Sequence, residues 1–166
     1  QGIEAQDTSL VRAHLSESVL AGDFDYSVCV ALSADGAYLL AGTSNGEVRL
    51  WRVADRTPLL SRQAHNGGIY GLALSADRQL LATGCLDGTV KLWTPENSVC
   101  LAVLQGHTGP VHGVALSADG HLLASSSYDG TIVLWATEQR VRRGVLEGHT
   151  GGVRDMSISA DGRLVV

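Results

Sequence analysis

The 166-residue sequence has one Met, one Phe and three Pro, and Lys91 is the single lysine among its twelve basic residues. Seventeen acidic residues set the net charge at −5. The arginines are scattered, with no cluster beyond Arg140 to Arg143. That excludes nucleic acid as a partner, because such binding needs Lys and Arg gathered on one face. No apolar run approaches the roughly 18–20 residues that span a bilayer, and no secretory leader is visible. No membrane partner is expected. Gln1 is not an ordinary start, and the chain reads as an excised piece of something longer. Cysteine is scarce too: Cys29, Cys85 and Cys100 are odd in number and share no metal-like spacing. Each falls inside a predicted strand, so all three read as small core residues, and a reducing, cytoplasmic setting fits them. The preference for Arg over Lys has no functional account.

What the chain does have is repetition. Trp51, Trp93 and Trp135 lie 42 residues apart, and so do His65, His107 and His149. The phrase Ser-Ala-Asp keeps the same interval, starting at Ser33, Ser75, Ser117 and Ser159. Self-similarity at a fixed period of a few tens of residues signals a repeat architecture, and it outranks local patterns. With 45% hydrophobic residues the chain can bury a sizeable core.

The clearest unit runs from Gly106 to Trp135, GHTGPVHGVALSADGHLLASSSYDGTIVLW. Val111 to Leu116 alternates as a short half-buried strand. Ser117-Ala118-Asp119-Gly120 then turns the chain, since Asp can bond its own backbone and Gly supplies positive φ. A second strand is expected over about 121–127, followed by an Asp-Gly hairpin turn at Tyr128-Asp129-Gly130. A third runs from Thr131 to Ala136, and a fourth from about Val141 to Leu146. Four short antiparallel strands per 42 residues, with no helical stretch, make one blade.

The Gly-His dipeptide, the Asp-Gly turn and the Trp six positions after that Asp resemble the WD-repeat β-propeller. The pattern recurs from Gln63 to Trp93, recurs in outline from Phe24 to Trp51, and covers about residues 21–166. The family's second signature, an Asp directly after the Trp, is missing: Arg52, Thr94 and Ala136 stand there. The resemblance implies an all-β fold, a propeller fragment of about three and a half four-stranded antiparallel blades. Near-identical repeats and an Arg-rich, Lys-poor composition look like prokaryotic signalling chains of this family, in which an NTPase precedes the repeats.

Two domains are expected: a lead-in over 1–22 and a partial propeller over 23–166. In the lead-in Ala5, Leu10, Leu15 and Leu20 recur every five residues, with Ile3, Thr8, Ala13 and Ser18 two places before each. This resembles the pentapeptide-repeat proteins; the alternative is a loop followed by an outer strand over Leu15 to Leu20. The first blade, about Tyr26 to Arg62, is degenerate: Asp23, Ala41 and Asn45 replace the His, Thr and Asp of the next repeat, and only Trp51 survives. Blades near Gly68 to Leu104 and Pro110 to Leu146 are complete. A fourth begins at Gly152 and reaches Val166, which matches Ala124. Propellers close with about four to eight blades, so the remaining blades of the same chain, or a second copy, are expected partners.

Each complete repeat offers a His, a hydroxyl, an Asp and a Trp: His65, Thr83, Asp87 and Trp93, then His107, Ser125, Asp129 and Trp135. The set imitates a Ser-His-Asp triad, yet catalysis needs one copy and this one returns with the period. By resemblance to the family the four form a hydrogen-bonded structural tetrad, Trp to hydroxyl to His to Asp. Ser127 is the other candidate hydroxyl; spacing favours Ser125, because Thr83 aligns with it and Cys85 with Ser127. The histidines are expected on successive blades, each engaged within its own. No Cys-x-x-Cys, His-Glu-x-x-His, Asp-rich loop or phosphate-binding Gly loop accompanies them. No catalytic residue, metal or cofactor is therefore expected.

Function is left to the positions that vary inside the fixed repeat. Tyr70, His112 and Arg154 follow the apolar residue opening each inner strand; Leu86 and Tyr128 precede the turn Asp. They lie where members of the family commonly contact partners. The expectation is a protein-interaction and sensor module of a larger signalling protein, binding a protein or peptide on its rim. A free-standing structural scaffold or adaptor is the alternative.

Overall fold

The computed structural model describes residues 27–166. The lead-in over 1–22, with both its readings, lies outside the described residues. Twelve described strands form three antiparallel four-stranded sheets. The first contains β1 (Ser27–Leu32), β2 (Tyr38–Thr43), β3 (Glu47–Arg52) and β4 (Pro58–Gln63). The second contains β5 (Ile69–Leu74), β6 (Leu81–Cys85), β7 (Thr89–Thr94) and β8 (Val99–Gln105). The third contains β9 (Val111–Leu116), β10 (Leu122–Ser127), β11 (Ile132–Ala136) and β12 (Val141–Leu146). Within each sheet the strands lie in sequence order. The described residues are all-β, a fragment of a propeller with three blades and the beginning of a fourth. In that beginning Ile158 bridges Val165, and the Ser157 and Val166 backbones exchange bonds at 2.8 and 3.0 Å.

The Ser-Ala-Asp phrase explains itself chemically. The serine hydroxyl donates to the Asp carboxylate two residues on, at 2.6 Å in Ser33, Ser75 and Ser159 and 2.5 Å in Ser117. The same hydroxyl oxygen accepts an amide from the strand that follows, at 2.9–3.0 Å (Tyr38, Leu80, Leu122, Leu164). This small box locks the turn and sets the register of the first hairpin. Its fourth place holds Gly36, Gly120 and Gly162 at positive φ, but in the second blade Arg78 adopts φ 62°. Arg78 is held by the first blade: its guanidinium lies 3.2 Å from Asp35 and 4.9 Å over the Tyr38 ring.

The core lies between blades. Leu40, Val48, Leu50, Ile69, Leu81 and Trp93 join the first blade to the second. Val90, Leu92, Leu104, Val111, Leu123 and Trp135 join the second to the third. Ile132, Val153 and Met156 join the third to the start of the fourth. The second and third blades are thus covered on both faces, so the strict alternation expected for β9 fails at Val114, which is buried as well as Val111. Strand β6 is buried throughout, while the outer strands β4 and β12 are mostly exposed. Cys100 sits on the outer strand β8 and is exposed, which corrects its assignment to the core; Cys85 is buried and Cys29 half-buried. Their strands were legible; which way an edge strand faces was not.

Candidate functional site

The hairpin between the second and third strands of each blade carries the tetrad Asp. In the third blade the Gly130 amide donates to the Ser127 carbonyl and the Ser127 amide to Thr131, both at 3.2 Å. Of the two central residues in the expected Asp-Gly turn, Gly130 alone has positive φ. This is therefore a three-residue loop with a glycine bulge rather than a two-residue type I′ turn. Asp129 is left pointing at the loop that enters the blade. These turns also dock neighbouring blades. A Cβ on Gly46 would lie 2.2 Å from the His65 carbonyl oxygen, and the Gly46 carbonyl accepts the Ala64 and His65 amides at 2.9 and 3.0 Å. Only glycine, at φ 87°, fits there.

In the third blade His107, Ser125, Asp129 and Trp135 come together. The Trp135 indole donates to Ser125 Oγ at 2.8 Å, Ser125 Oγ lies 2.8 Å from His107 Nε2, and His107 Nδ1 lies 3.0 Å from Asp129 Oδ2. Directions follow from the chemistry. An ionised carboxylate only accepts, so Nδ1 carries the proton, Nε2 accepts from Ser125, and the serine oxygen accepts from Trp135. Burial raises the Asp129 pKa, but bonds from the Thr131 hydroxyl, the Thr108 and Thr131 amides and His107 outweigh it and bring it down to about 2. Ser127 stands outside this chain and supports the turn instead, its hydroxyl oxygen accepting the Asp129 amide at 3.1 Å.

The second blade has the same letters and different wiring. Trp93 donates to Thr83 Oγ1 at 3.0 Å, and His65 Nε2 lies 2.8 Å from that oxygen. His65 Nδ1, however, is 3.9 Å from Asp87 Oδ2, too far for a hydrogen bond, and 3.4 Å from the Thr89 hydroxyl. Burial, and then the Lys91 ammonium, push the His65 pKa down to about 4 against the pull of Asp87. Cys85 replaces Ser127, and its sulfur accepts the Asp87 amide at 3.4 Å. In the first blade Thr43 bonds Asn45.

The variable positions form a row. The Tyr70 and His112 rings lie 4.9 Å apart at 58°, the His112 and Tyr128 rings 4.5 Å apart at 63°, and the Arg154 guanidinium 5.6 Å from the Tyr128 ring. These separations are those of edge-to-face aromatic pairs and a cation–π contact. Glycine sets the rings down: a Cβ on Gly68 would meet Tyr70 at 2.9 Å, and one on Gly152 would meet Tyr128 at 2.6 Å. Leu86 occupies the turn position of Tyr128, its amide donating to the Gly68 carbonyl as that of Tyr128 donates to Pro110, both at 3.0 Å. Burial, then the Arg154 charge, lower the His112 pKa, so it stacks as a neutral ring at pH 7. Beside the row a cleft of about 350 Å³ is lined by Cys29, Val30, Tyr70, His112, Arg154 and Asp155. Sequence reasoning passed over Asp155 and the cleft, because nothing in the repeat marks which inner-strand residues face the blade next door.

The family model described as WD domain, G-beta repeat matches residues 13–52, 56–94, 98–136 and 140–166. The chain belongs to the WD40-repeat family. Its propellers generally serve as protein-interaction modules and are generally non-enzymatic. Among solved structures the WD40 fragment is similar to one described as the structure of U3-55K, with TM-score 0.79 and 21% identity. It is also similar to the crystal structure of RRP9 WD40 repeats, with TM-score 0.78 and 21% identity. Each alignment covers 83% of this chain and 44% of the other, so this chain spans less than half the length of those propellers. At this identity the likeness concerns the fold. A search of curated proteins gave no match.

Proposed function

We propose that this chain is a protein-interaction module whose partner, a protein or peptide, docks on the rim row Tyr70, His112, Tyr128 and Arg154, with Leu86 at its border. The observation that carries this is the continuous row of the Tyr70, His112 and Tyr128 rings, closed by the Arg154 guanidinium over Tyr128. Tyr128 and Leu86 are 44% and 40% exposed. Tyr and Arg are the side chains most enriched among interface anchors. The repeated tetrads are structural rather than catalytic, which supports reading the protein as an interaction module and not an enzyme. The finer reading is a cytoplasmic sensor module within a longer signalling chain that carries an NTPase effector. It rests on near-identical repeats, the Arg-rich composition and three unpaired cysteines.

The test uses the full-length protein with a photo-crosslinking residue in place of Leu86. Changing Tyr70 and Tyr128 together to Ala should weaken capture of the crosslinked partner by about 2 kcal/mol or more while the melting curve keeps its midpoint. Undiminished capture would move the contact to the sides of the blades or the opposite face.

A further inference from the structure

His65, Cys85 and Asp87 come from the entry loop, the end of β6 and the following turn, and their ligating atoms lie within 4.8 Å of one another. We propose that the second blade holds a divalent transition-metal ion of the zinc class through His65 Nδ1, Cys85 Sγ and an Asp87 carboxylate oxygen. A mixed N, S, O donor set suits zinc, whose bonds of roughly 2.0–2.3 Å put tetrahedral ligands about 3.3–3.8 Å apart. The groups therefore need to close by about an ångström. The His65 ring is fully buried and fixed by Thr83. Asp87 Oδ1 is held by the Thr89 amide and hydroxyl at 2.9 and 2.6 Å, so its 42%-exposed side chain presents Oδ2, 3.9 Å from His65 Nδ1, as the ligand atom.

The contrast with the third blade carries the inference. There Ser127 offers no thiolate, and His107 Nδ1 is already bonded to Asp129 at 3.0 Å. In the second blade the equivalent nitrogen lies 3.4 Å from the Thr89 hydroxyl and 3.9 Å from Asp87 Oδ2. The nitrogen can turn a lone pair toward the ion while Nε2–H donates to Thr83, a bond that fixes the ring as outer partners of metal-ligating histidines do. The thiolate and the carboxylate balance the ion's two charges. The Lys91 ammonium, tied to the Ala64 carbonyl at 2.7 Å, opposes a further cation nearby and so makes both anions necessary. Three protein ligands leave a fourth position for water or the Thr89 hydroxyl. Leu86 sits between two of the ligands, so the ion would fix the turn that borders the rim.

The experiment titrates full-length protein, stripped with a chelator, with cobalt(II) and zinc(II). The expected result is one cobalt bound with thiolate-to-cobalt charge-transfer absorption, displaced by zinc. Cys85→Ser copies the residue present in the third blade, which favours its folding. It should abolish that absorption and weaken zinc binding by more than the roughly 10- to 100-fold that loss of an outer-shell partner costs. Asp87→Asn, which leaves the thiol in place, should weaken binding as well and serves if Cys85→Ser melts early. Absence of thiolate absorption in the wild type, or its persistence in Cys85→Ser through Cys29 or Cys100, would overturn the proposal.

Discussion

The second and third blades use one motif for two ends. In the third, His107 and Asp129 are bonded at 3.0 Å and the Asp side chain is 10% exposed; in the second, His65 and Asp87 stand 3.9 Å apart and the Asp is 42% exposed. The residue two places before the Asp differs. Ser127 holds the Asp129 amide at 3.1 Å, whereas the larger sulfur of Cys85 holds the Asp87 amide at 3.4 Å. A bulkier atom under the turn accompanies a carboxylate set further from the histidine. The comparison teaches that a repeat motif fixes which residues meet and not how tightly, because tightness depends on the atoms beneath the turn.

Acid should separate the blades most clearly. His65 has a folded pKa of about 4 against 6.5 for the free side chain. Its neutral form stabilises the fold fully above about pH 6.5, and that contribution is lost as pH falls toward 4, because the unfolded chain binds the proton first. The loss is on the order of 3 kcal/mol. Asp129, at about 2 against 3.8, keeps its contribution down to about pH 4 and loses it as pH falls through 2. Urea melts at stepped pH, with chelator present, should show the earlier window vanish in His65→Gln. A single window unaffected by that substitution would mean that the second blade does not hold its histidine neutral.

Direct removal of the carboxylates gives a smaller contrast. Asp129→Ala strips His107 and the Thr108 and Thr131 amides of their acceptor and should cost roughly 1.5–3 kcal/mol. Asp87→Ala removes a partly solvated group and should cost less than about 1 kcal/mol. Equal losses in chemical denaturation would erase the distinction between the blades.

Much of this was legible in the sequence. The 42-residue interval located three blades, and Ser-Ala-Asp marked the turns that its hydroxyl and carboxylate lock. The resemblance to the family implied which four residues meet, and spacing chose Ser125 over Ser127 among them. The rest turned on distances that spacing does not carry. Cys85 reads as a plain core residue because its companions His65 and Asp87 approach through space, from a loop and a turn, without a Cys-x-x-Cys signature. The outward face of Cys100 was hidden because an edge strand has the same apolar spacing whichever side is covered. The ring row was visible only as variable letters at two places in the repeat, Tyr70, His112 and Arg154 in the inner strands and Leu86 and Tyr128 before the turn Asp, until the inner strands stood side by side.

The most direct measurement is hydrogen exchange at the imidazole nitrogens, read from nitrogen-15 spectra of the metal-free protein. The wiring of the third blade requires a proton on His107 Nδ1 held by Asp129, so that N–H signal should be visible and slow to exchange. His65, whose Nδ1 lies beyond bonding distance of Asp87, should show no such protection, and Cys85→Ser should confer it. Protected Nδ1–H signals from both histidines in the wild type, or from neither, would contradict the account.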